Sequence, residues 1–180
     1  HACYSDIPAL YGERGLDKGV WAYNNGENSV EYPVVQGAIM WASAKVIPEG
    51  ANNYFYGSAL LLALLFIFIA LIVFRIRPEF GYLLPLAPAA IASLYINWDL
   101  WAIAAMMLAI YWFDRKQDYA SAFALGIAIS TKFLPIFLLI PIALIYFRRE
   151  DLLKFVKYLA IVVVTFVAIN LPVALTTFDG

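Results

Sequence analysis

The stretch YFYGSALLLALLFIFIALIVF, residues 54–74, determines the class of this protein. It contains no charged residue, and as a helix rising about 1.5 Å per residue it would be close to the roughly 30 Å thickness of a bilayer core. Hydrophobic residues make up 64% of the whole chain and charged residues 14%, with a mean hydropathy of +0.78. Soluble domains contain about 25% charged residues, because their surface faces water. We therefore predict an all-α integral membrane protein.

Further apolar runs follow this stretch between short polar turns, and together they predict a polytopic transmembrane helical bundle. Lipid offers the backbone no hydrogen-bond partner, so each uninterrupted run is expected to be helical, which makes about six spans in all. The predicted spans are residues 54–74, 80–96, 100–113, 119–131, 133–147 and 152–175. Several of them are short for a bilayer core. Either the helices extend through their polar ends, or the outer turns lie below the membrane surface, where polar backbone requires protein or a wet cavity. Of these, we expect a cavity that opens on the outer face of the bundle.

Basic residues in the predicted turns lie almost entirely on one side of such a bundle, which indicates its orientation. The residues on that side are Arg75, Arg77, Arg115, Lys116, Arg148, Arg149, Lys154 and Lys157. Lys132 is the only basic residue in the turns of the other side, so the first side is predicted to be cytoplasmic. We interpret the basic clusters as signals of topology in a multi-pass plasma-membrane protein. Residues 1–53, 97–99 and 176–180 then lie outside the cytoplasm with Lys132.

The chain divides by composition into two parts, residues 1–53 and residues 54–180. The first part is predicted to be an extracytoplasmic loop with short juxtamembrane helices, and the second is predicted to be the transmembrane bundle. A helix is expected to begin near the N-terminus with Ser5 or Asp6 as its cap. Gly15 is expected to end that helix, because glycine readily adopts the left-handed conformation that follows a helix.

The rest of the first part is predicted to contain a polar loop and a second short helix. The loop covers residues 21–32, with a turn at residues 24–26, where the sequence is Asn-Asn-Gly. The second helix is predicted for residues 34–46 and would lie at the membrane interface. Residues 48–50, with the sequence Pro-Glu-Gly, would then turn the chain into the first span.

Several classes of functional site find no support in the residues. Cys3 is the only cysteine, so no disulfide can form within the chain, and His1 is the only histidine. No cluster of metal-binding residues, phosphate-binding glycine loop or serine-nucleophile motif occurs, so neither a metal nor another cofactor is expected. The net charge of −1 gives no indication of a nucleic-acid partner. The chemistry that remains is a carboxylate base combined with a basic residue.

Six short motifs, in order along nearly the whole chain, resemble those of a known enzyme family. They are Cys3-Tyr4-Ser5-Asp6-Ile7-Pro8 with Tyr11, Arg14-Gly15-Leu16, Glu31-Tyr32-Pro33-Val34, Asn97-Trp98-Asp99-Leu100, Thr131-Lys132-Phe133-Leu134-Pro135 and Asn170-Leu171-Pro172. The chain resembles the C-type glycosyltransferases of family 87, which use polyprenyl-phosphate sugars and include bacterial mannosyltransferases. Family members are longer and have more spans. The resemblance therefore implies a fragment that lacks the first helix and the C-terminal helices.

The resemblance implies a metal-independent, inverting transfer of a sugar, with mannose preferred, on the extracytoplasmic face of the membrane. The donor would be a polyprenyl-phosphate sugar, and the acceptor a glycolipid or a glycan. Asp6 matches the catalytic carboxylate that such enzymes carry in their first outer loop, and would act as general base on the acceptor hydroxyl. Lys132 or Arg14 would contact the donor phosphate. The expected substrate-binding residues are Glu31, Tyr32, Tyr11, Asn97 and Asp99.

Each functional assignment has a structural alternative at this stage. Asp6 and Asp99 can each be no more than the cap of a following helix, and Lys132 can extend to the membrane interface without binding a substrate. Glu31 can serve only to set how the loop leads into the next helix. The alternatives for the whole protein are a polytopic transporter and a non-catalytic membrane subunit. Convergence of these side chains around one cavity would favour the enzyme.

Overall fold

The computed structural model describes residues 4–24 and 26–177, without the side chain of residue 27. The protein is all-helical, as predicted, with 78% helix and no strand in the described residues. The α-helices are α1 (Asp6–Glu13), α2 (Val34–Val46), α3 (Ala51–Ile76), α4 (Pro78–Gly81), α5 (Pro88–Ser93), α6 (Leu100–Asp114), α7 (Asp118–Thr131), α8 (Leu139–Arg148) and α9 (Leu152–Thr176). Short 3-10 helices lie at Leu16–Lys18, Gly26–Asn28, Leu84–Leu86 and Leu134–Leu138.

Two of these helices, α3 and α9, are long and apolar enough to cross a membrane. They contain 26 and 25 residues and are therefore roughly 38 Å long, which exceeds the thickness of a bilayer core. Only 17% of the most apolar segment of α3, and 11% of that of α9, is buried within the protein. A helix in the core of a soluble domain would be mostly buried, so this exposure favours contact with lipid.

The exposed side of α3 forms a continuous apolar face. Its large exposed side chains recur at intervals of four and three residues, which places them along one side of the helix. They are Leu60, Leu64, Ile67, Leu71 and Phe74. An uninterrupted apolar face of this length is costly in water and favourable in a hydrocarbon environment. The face therefore favours the membrane location predicted from composition.

The six predicted spans are only partly represented as helices of spanning length. The run of residues 80–96 was predicted to be one continuous span, and this prediction is wrong, since the run is divided among α4, a 3-10 turn and α5. Pro85 and Pro88 explain the division, because proline lacks a backbone N–H and its ring clashes with the preceding helical turn. α6 and α7 are helical as predicted but contain only 15 and 14 residues. The predicted span of residues 133–147 is divided between the 3-10 helix Leu134–Leu138 and α8, which has 10 residues. A six-span topology is thus not confirmed.

Helix α7 lies at the centre of the bundle and packs against α6, α9 and α2. Most of its residues are buried, and they are predominantly small: Ser121, Ala122, Ala124, Leu125, Gly126, Ala128, Ile129, Ser130 and Thr131. Small side chains let helix backbones approach closely, which is how helices associate where lipid removes the hydrophobic driving force. The Ser121 hydroxyl donates to the Ala109 carbonyl of α6 at 2.7 Å and lies 2.8 Å from the Tyr158 hydroxyl of α9. α7 is therefore joined by hydrogen bonds to both α6 and α9.

The described part of residues 1–53 packs against one end of the bundle. Ile7, Leu16 and Met40 share a buried cluster with Tyr54 of α3 and with Trp98. The Tyr54 hydroxyl donates to the carbonyl of Met40 at 3.0 Å, which joins α3 to α2. This cluster holds the N-terminal helices against one end of the bundle.

The predicted helices of this segment are confirmed at the level of local structure. Ser5 is the N-cap of α1, and its hydroxyl accepts a hydrogen bond from the backbone N–H of Ile7 at 3.3 Å. Gly15 follows α1 with a positive φ of 67°, as expected for the residue that ends a helix. The second helix has the predicted limits of residues 34 and 46. The predicted turn at residues 24–26 includes Asn25, which lies outside the described residues.

Replacing Gly126 with alanine is expected to destabilise the bundle. An added Cβ would lie 2.6 Å from the Cβ of Thr165 and 3.1 Å from the carbonyl oxygen of Val162, so α7 and α9 would have to move apart. Overpacking of this kind lowers the free energy of unfolding by about 1–3 kcal/mol. Thermal unfolding of the purified protein in detergent, followed by circular dichroism, measures the change.

Gly12→Ala is the matched control, because an added Cβ at Gly12 meets nothing within 4 Å. This variant should be as stable as the parent or more stable by up to about 1 kcal/mol, because alanine favours helix. Equal stability of the two variants would contradict the close packing of α7 on α9.

Candidate functional site

The first turn of α1 is attached to the segment that precedes α6. The Ser5 hydroxyl donates to the carbonyl of Tyr95 at 2.7 Å, and the backbone N–H of Asp6 donates to the carbonyl of Ile96 at 2.8 Å. Backbone carbonyls of residues 95 and 96 are free to accept these bonds because α5 ends at Ser93. The N-terminal segment and the turn at residues 97–99, far apart in the sequence, thus become neighbours.

The carboxylate of Asp6 lies near two tyrosine side chains. A hydrogen bond to this carboxylate, together with its negative charge, raises the pKa of Tyr4 above its ordinary value. Burial raises the pKa of Tyr32, and the negative charges of Asp6 and Asp99 raise it further. Both phenols are therefore neutral at physiological pH and retain a hydroxyl hydrogen that can be donated. Asp6 lies within electrostatic range of Tyr32, as does Asp99 on a different element.

Arg14 and Glu31 form an ion pair beside Asp6. The Nη2 atom of Arg14 donates to Oε1 of Glu31 at 2.9 Å. The Arg14 side chain is 19% exposed and that of Glu31 is 81% exposed, so the guanidinium is partly enclosed while the carboxylate reaches outward. This pair borders a small cavity of about 260 Å³. The residues that line it are Asp6, Leu10, Arg14, Val30, Glu31 and Tyr32.

Lys132 and Asp99 form a second ion pair, between the end of α7 and the start of α6. Nζ of Lys132 lies 2.5 Å from Oδ2 of Asp99, and about a third of each side chain is exposed. Asp99 occupies the N-cap position of α6, but its side chain makes no capping hydrogen bond. Instead, the side-chain oxygen of Asn97 accepts from the backbone N–H of Asp99 at 3.0 Å, which holds the turn. The Asp99 carboxylate is directed to Lys132 and does not cap α6.

A second cavity, of about 470 Å³, extends from Tyr32 to Lys132. Its lining residues are Glu31, Tyr32, Pro33, Lys132, Phe133, Leu134, Ile136 and Phe137. Glu31 and Tyr32 line both this cavity and the smaller one, so the two adjoin. The large side chains that follow Lys132 are mostly exposed, with Leu134 at 65% and Phe137 at 63%. The accessible lining of this cavity is therefore mainly apolar, and Glu31, Tyr32 and Lys132 lie at its polar edge.

Most of the residues predicted from sequence to form the site are brought together. Asp6, Arg14, Glu31, Tyr32 and Lys132 line the two adjoining cavities. Asp99 joins them through Lys132. Asn97 and Asp99 also line a neighbouring cavity of about 270 Å³ between α3 and α6.

Tyr11 does not line the two adjoining cavities. Its side chain is only 5% exposed and stacks on Tyr54, with ring centroids 4.5 Å apart. In this position the Tyr11 ring packs α1 against α3 and so contributes to the position of Asp6. The structure thus separates Tyr11 from the other residues of the predicted site.

Sequence reasoning missed two features of this site. Tyr4 was not singled out as a partner of Asp6, although it lies only two residues away in the motif. The apolar wall from Phe133 to Phe137 was assigned to a spanning helix, since its composition suits lipid equally well. Pro135 was the available signal in the sequence, because proline interrupts a regular helix, and in the structure it lies in the first turn of the 3-10 helix at Leu134–Leu138.

No match was found among protein-family models, curated proteins or solved structures. In the described part of the chain, no group of three or more potential metal ligands occurs either. The interpretation of the site therefore depends on its own geometry and chemistry.

A double-mutant cycle should detect the ion pair between Lys132 and Asp99. Lys132→Gln and Asp99→Asn are each expected to destabilise the protein, since each leaves a partly buried charge without its partner. The double variant should lose less free energy of unfolding than the sum of the losses in the two single variants. The difference, which is the coupling energy, should be about 1 kcal/mol. Thermal unfolding in detergent provides the four stabilities.

The control cycle uses Arg77 and Glu79, whose closest charged atoms are 4.0 Å apart and whose side chains are 71% and 54% exposed. Its coupling energy should be near zero, because water screens an exposed pair at this distance. A similar coupling energy in both cycles would contradict a specific Lys132–Asp99 interaction.

Proposed function

We propose that this protein is a multi-pass membrane glycosyltransferase that transfers a sugar, with mannose preferred, from a polyprenyl phosphate to a glycolipid or glycan. The observation that supports it is the convergence of Asp6, Arg14, Glu31, Tyr32 and Lys132 around two adjoining cavities. These residues come from three separate parts of the sequence. Their active site would face the extracytoplasmic side of the plasma membrane.

Asp6 is suited to act as the general base. Its carboxylate borders the smaller, more polar cavity, where an acceptor hydroxyl can approach it. In the proposed inverting reaction, the acceptor oxygen attacks the anomeric carbon while Asp6 takes the hydroxyl proton. The bond between the anomeric carbon and the phosphate oxygen breaks, and polyprenyl phosphate leaves with the bonding electron pair. Asp6 then returns the proton to solvent.

Lys132 is suited to stabilise the leaving phosphate. Lys132 lines the larger cavity and its side chain is only partly exposed, so its charge is less screened than it would be in open water. Negative charge develops on the phosphate oxygens as the sugar leaves, and a fixed cation beside them lowers the barrier. Asp99 holds the ammonium group in position through the ion pair. Arg14 supplies a second positive charge near Asp6.

The apolar wall of the larger cavity is suited to the lipid portion of the donor. Phe133, Leu134 and Phe137 are exposed and line this cavity together with Lys132. A polyprenyl phosphate has the same arrangement, because its charged head is joined to a long apolar chain. A donor phosphate at Lys132 would therefore place the start of its chain on this wall.

A transporter or a non-catalytic subunit is less well supported. A transporter site usually lies near the middle of the membrane between repeats or broken helices. Here the charged residues gather at the C-terminal end of α7 and under the N-terminal helices, near one end of the bundle. A subunit without a substrate would not require an ion-paired cation beside an open apolar wall.

Asp6→Asn should abolish sugar transfer. The amide keeps the shape of the side chain but cannot accept the proton, so the rate is expected to fall by at least about 100-fold. The assay uses membranes that contain the protein, labelled polyprenyl-phosphate mannose as donor and a lipid extract as acceptor. Asp17→Asn, at an exposed position of the same segment, should keep the parental rate at equal expression. Parental activity in Asp6→Asn would reduce Asp6 to a structural role.

Lys132→Gln should weaken use of the phosphate donor. Loss of the charged contact is expected to reduce kcat/KM for the donor by roughly 10-fold to 100-fold. Lys132→Arg should retain more activity than Lys132→Gln, because it keeps the charge. Lys18→Gln, at an exposed lysine of the N-terminal segment, is the control and should match the parent. Equal losses in Lys132→Arg and Lys132→Gln would argue against an electrostatic role.

A further inference from the structure

A separate basic cavity lies at the other end of α7. It has a volume of about 470 Å³ and is formed by the start of α7, the turn before it and the start of α9. Its lining residues are Lys116, Gln117, Asp118, Tyr119, Ala120, Lys154, Lys157 and Tyr158. Asp118 begins α7, whereas Lys132 directly follows its last residue, and a helix of this length is roughly 21 Å long. The cavity is therefore distinct from the candidate active site.

The lysines of this cavity are only partly neutralised. Lys154 pairs with Asp151, with Nζ 2.6 Å from Oδ2, and Asp118 also lines the cavity. Within the described residues, neither Lys116 nor Lys157 has a carboxylate oxygen within 4.0 Å of its ammonium group. Lys116 and Lys157 thus line one cavity without an internal carboxylate partner. A bound anion would supply the missing negative charge.

The fold fixes the backbone positions of these lysines, while their side chains are exposed. Lys116 has a φ of 59°, in the left-handed region that glycine occupies more easily, and its backbone N–H donates to the carbonyl of Phe113 at 3.0 Å. A lysine at this position provides a side chain that glycine could not. Lys154 and Lys157 are three residues apart in α9, so they lie on the same side of that helix.

The surface beside the cavity is apolar, which favours a lipid over a water-soluble anion as the ligand. Tyr119 and Phe123 are exposed on successive turns of α7, at 66% and 53%. Leu153 and Val156 are exposed on the first turns of α9. A charged group held at the lysines would therefore have apolar surface next to it, as the acyl chains of a phospholipid require.

We propose that this cavity binds the phosphate headgroup of an anionic membrane lipid. The phosphate would contact Lys116 and Lys157, while Lys154 remains paired with Asp151, and the acyl chains would lie along Tyr119 and Phe123. Basic cavities between membrane helices are recognised sites for anionic headgroups. The site would anchor the ends of α7 and α9 to the lipid leaflet on that side. It does not depend on the proposed glycosyltransferase activity.

The test measures binding of phosphatidylglycerol to the purified protein in detergent by native mass spectrometry. Phosphatidylcholine, which carries no net charge, and inorganic phosphate are the comparison probes. The parent should bind phosphatidylglycerol in preference to phosphatidylcholine. Lys116→Asn with Lys157→Gln should reduce this affinity on the order of 30-fold, because two charges are lost. Asparagine is used at position 116 because it tolerates the left-handed conformation.

A second pair of variants separates lost binding from a damaged fold. Arg75→Gln with Arg148→Gln removes two exposed charges that do not line the cavity and should leave the affinity unchanged. Asp118→Asn removes the carboxylate of the cavity and should raise the affinity roughly fivefold, which a misfolded protein would not do. Equal effects of the two double variants, or no gain in Asp118→Asn, would overturn the proposal. Inorganic phosphate displacing the lipid at equal concentration would overturn the lipid as ligand and assign a soluble phosphate instead.

Discussion

The close packing of α7 between α6 and α9 is the constraint on which the rest of the structure depends. Gly126 and its small neighbours allow the backbones to approach, and the Ser121 hydroxyl joins the three helices by hydrogen bonds. Both proposed sites are formed at the ends of this helix. Lys132 follows its last residue, and Asp118 begins it. A shift of α7 against its neighbours would therefore disturb both ends at once, because a helix moves as a rigid element.

The N-terminal segment depends on this bundle for its position. Aromatic packing of Tyr11 on Tyr54, and of Tyr54 near Trp98, buries the contact between α1 and α3. The bonds from the Ser5 hydroxyl and the Asp6 backbone to residues 95 and 96 then complete the attachment. Ser5 thus has two roles, since it caps α1 and connects it to a distant part of the chain. This attachment places Asp6 in the cavity that also contains Glu31 and Tyr32, and these two residues line the cavity of Lys132 as well.

Local sequence signals predicted local structure well where one interaction dominates. Ser5 as cap, Gly15 after the helix and the limits of α2 follow from short-range hydrogen bonding and backbone preference, so neighbouring residues suffice to predict them. The run of residues 80–96 was predicted wrongly because its apolar composition was given more weight than its prolines. Asp99 shows where a local sequence signal fails to predict the contact that a side chain makes. Its position predicts a cap, but the nearby ammonium group of Lys132 forms the stronger interaction, and that partner is 33 residues away.

The sequence alone determined that the protein is helical and strongly apolar, because long runs without charge leave the backbone no partner except itself. It also supplied candidate site residues, since the motifs that carry the family resemblance include Asp6, Arg14, Glu31, Tyr32 and Lys132. Only the tertiary structure decided which of them meet. Tyr11 is directed into the core while Tyr32 lines the cavities, although both were predicted to bind substrate. The physical reason is that the burial and pairing of a side chain depend on how helices from distant parts of the sequence pack together. The neighbouring residues in the sequence do not determine that packing.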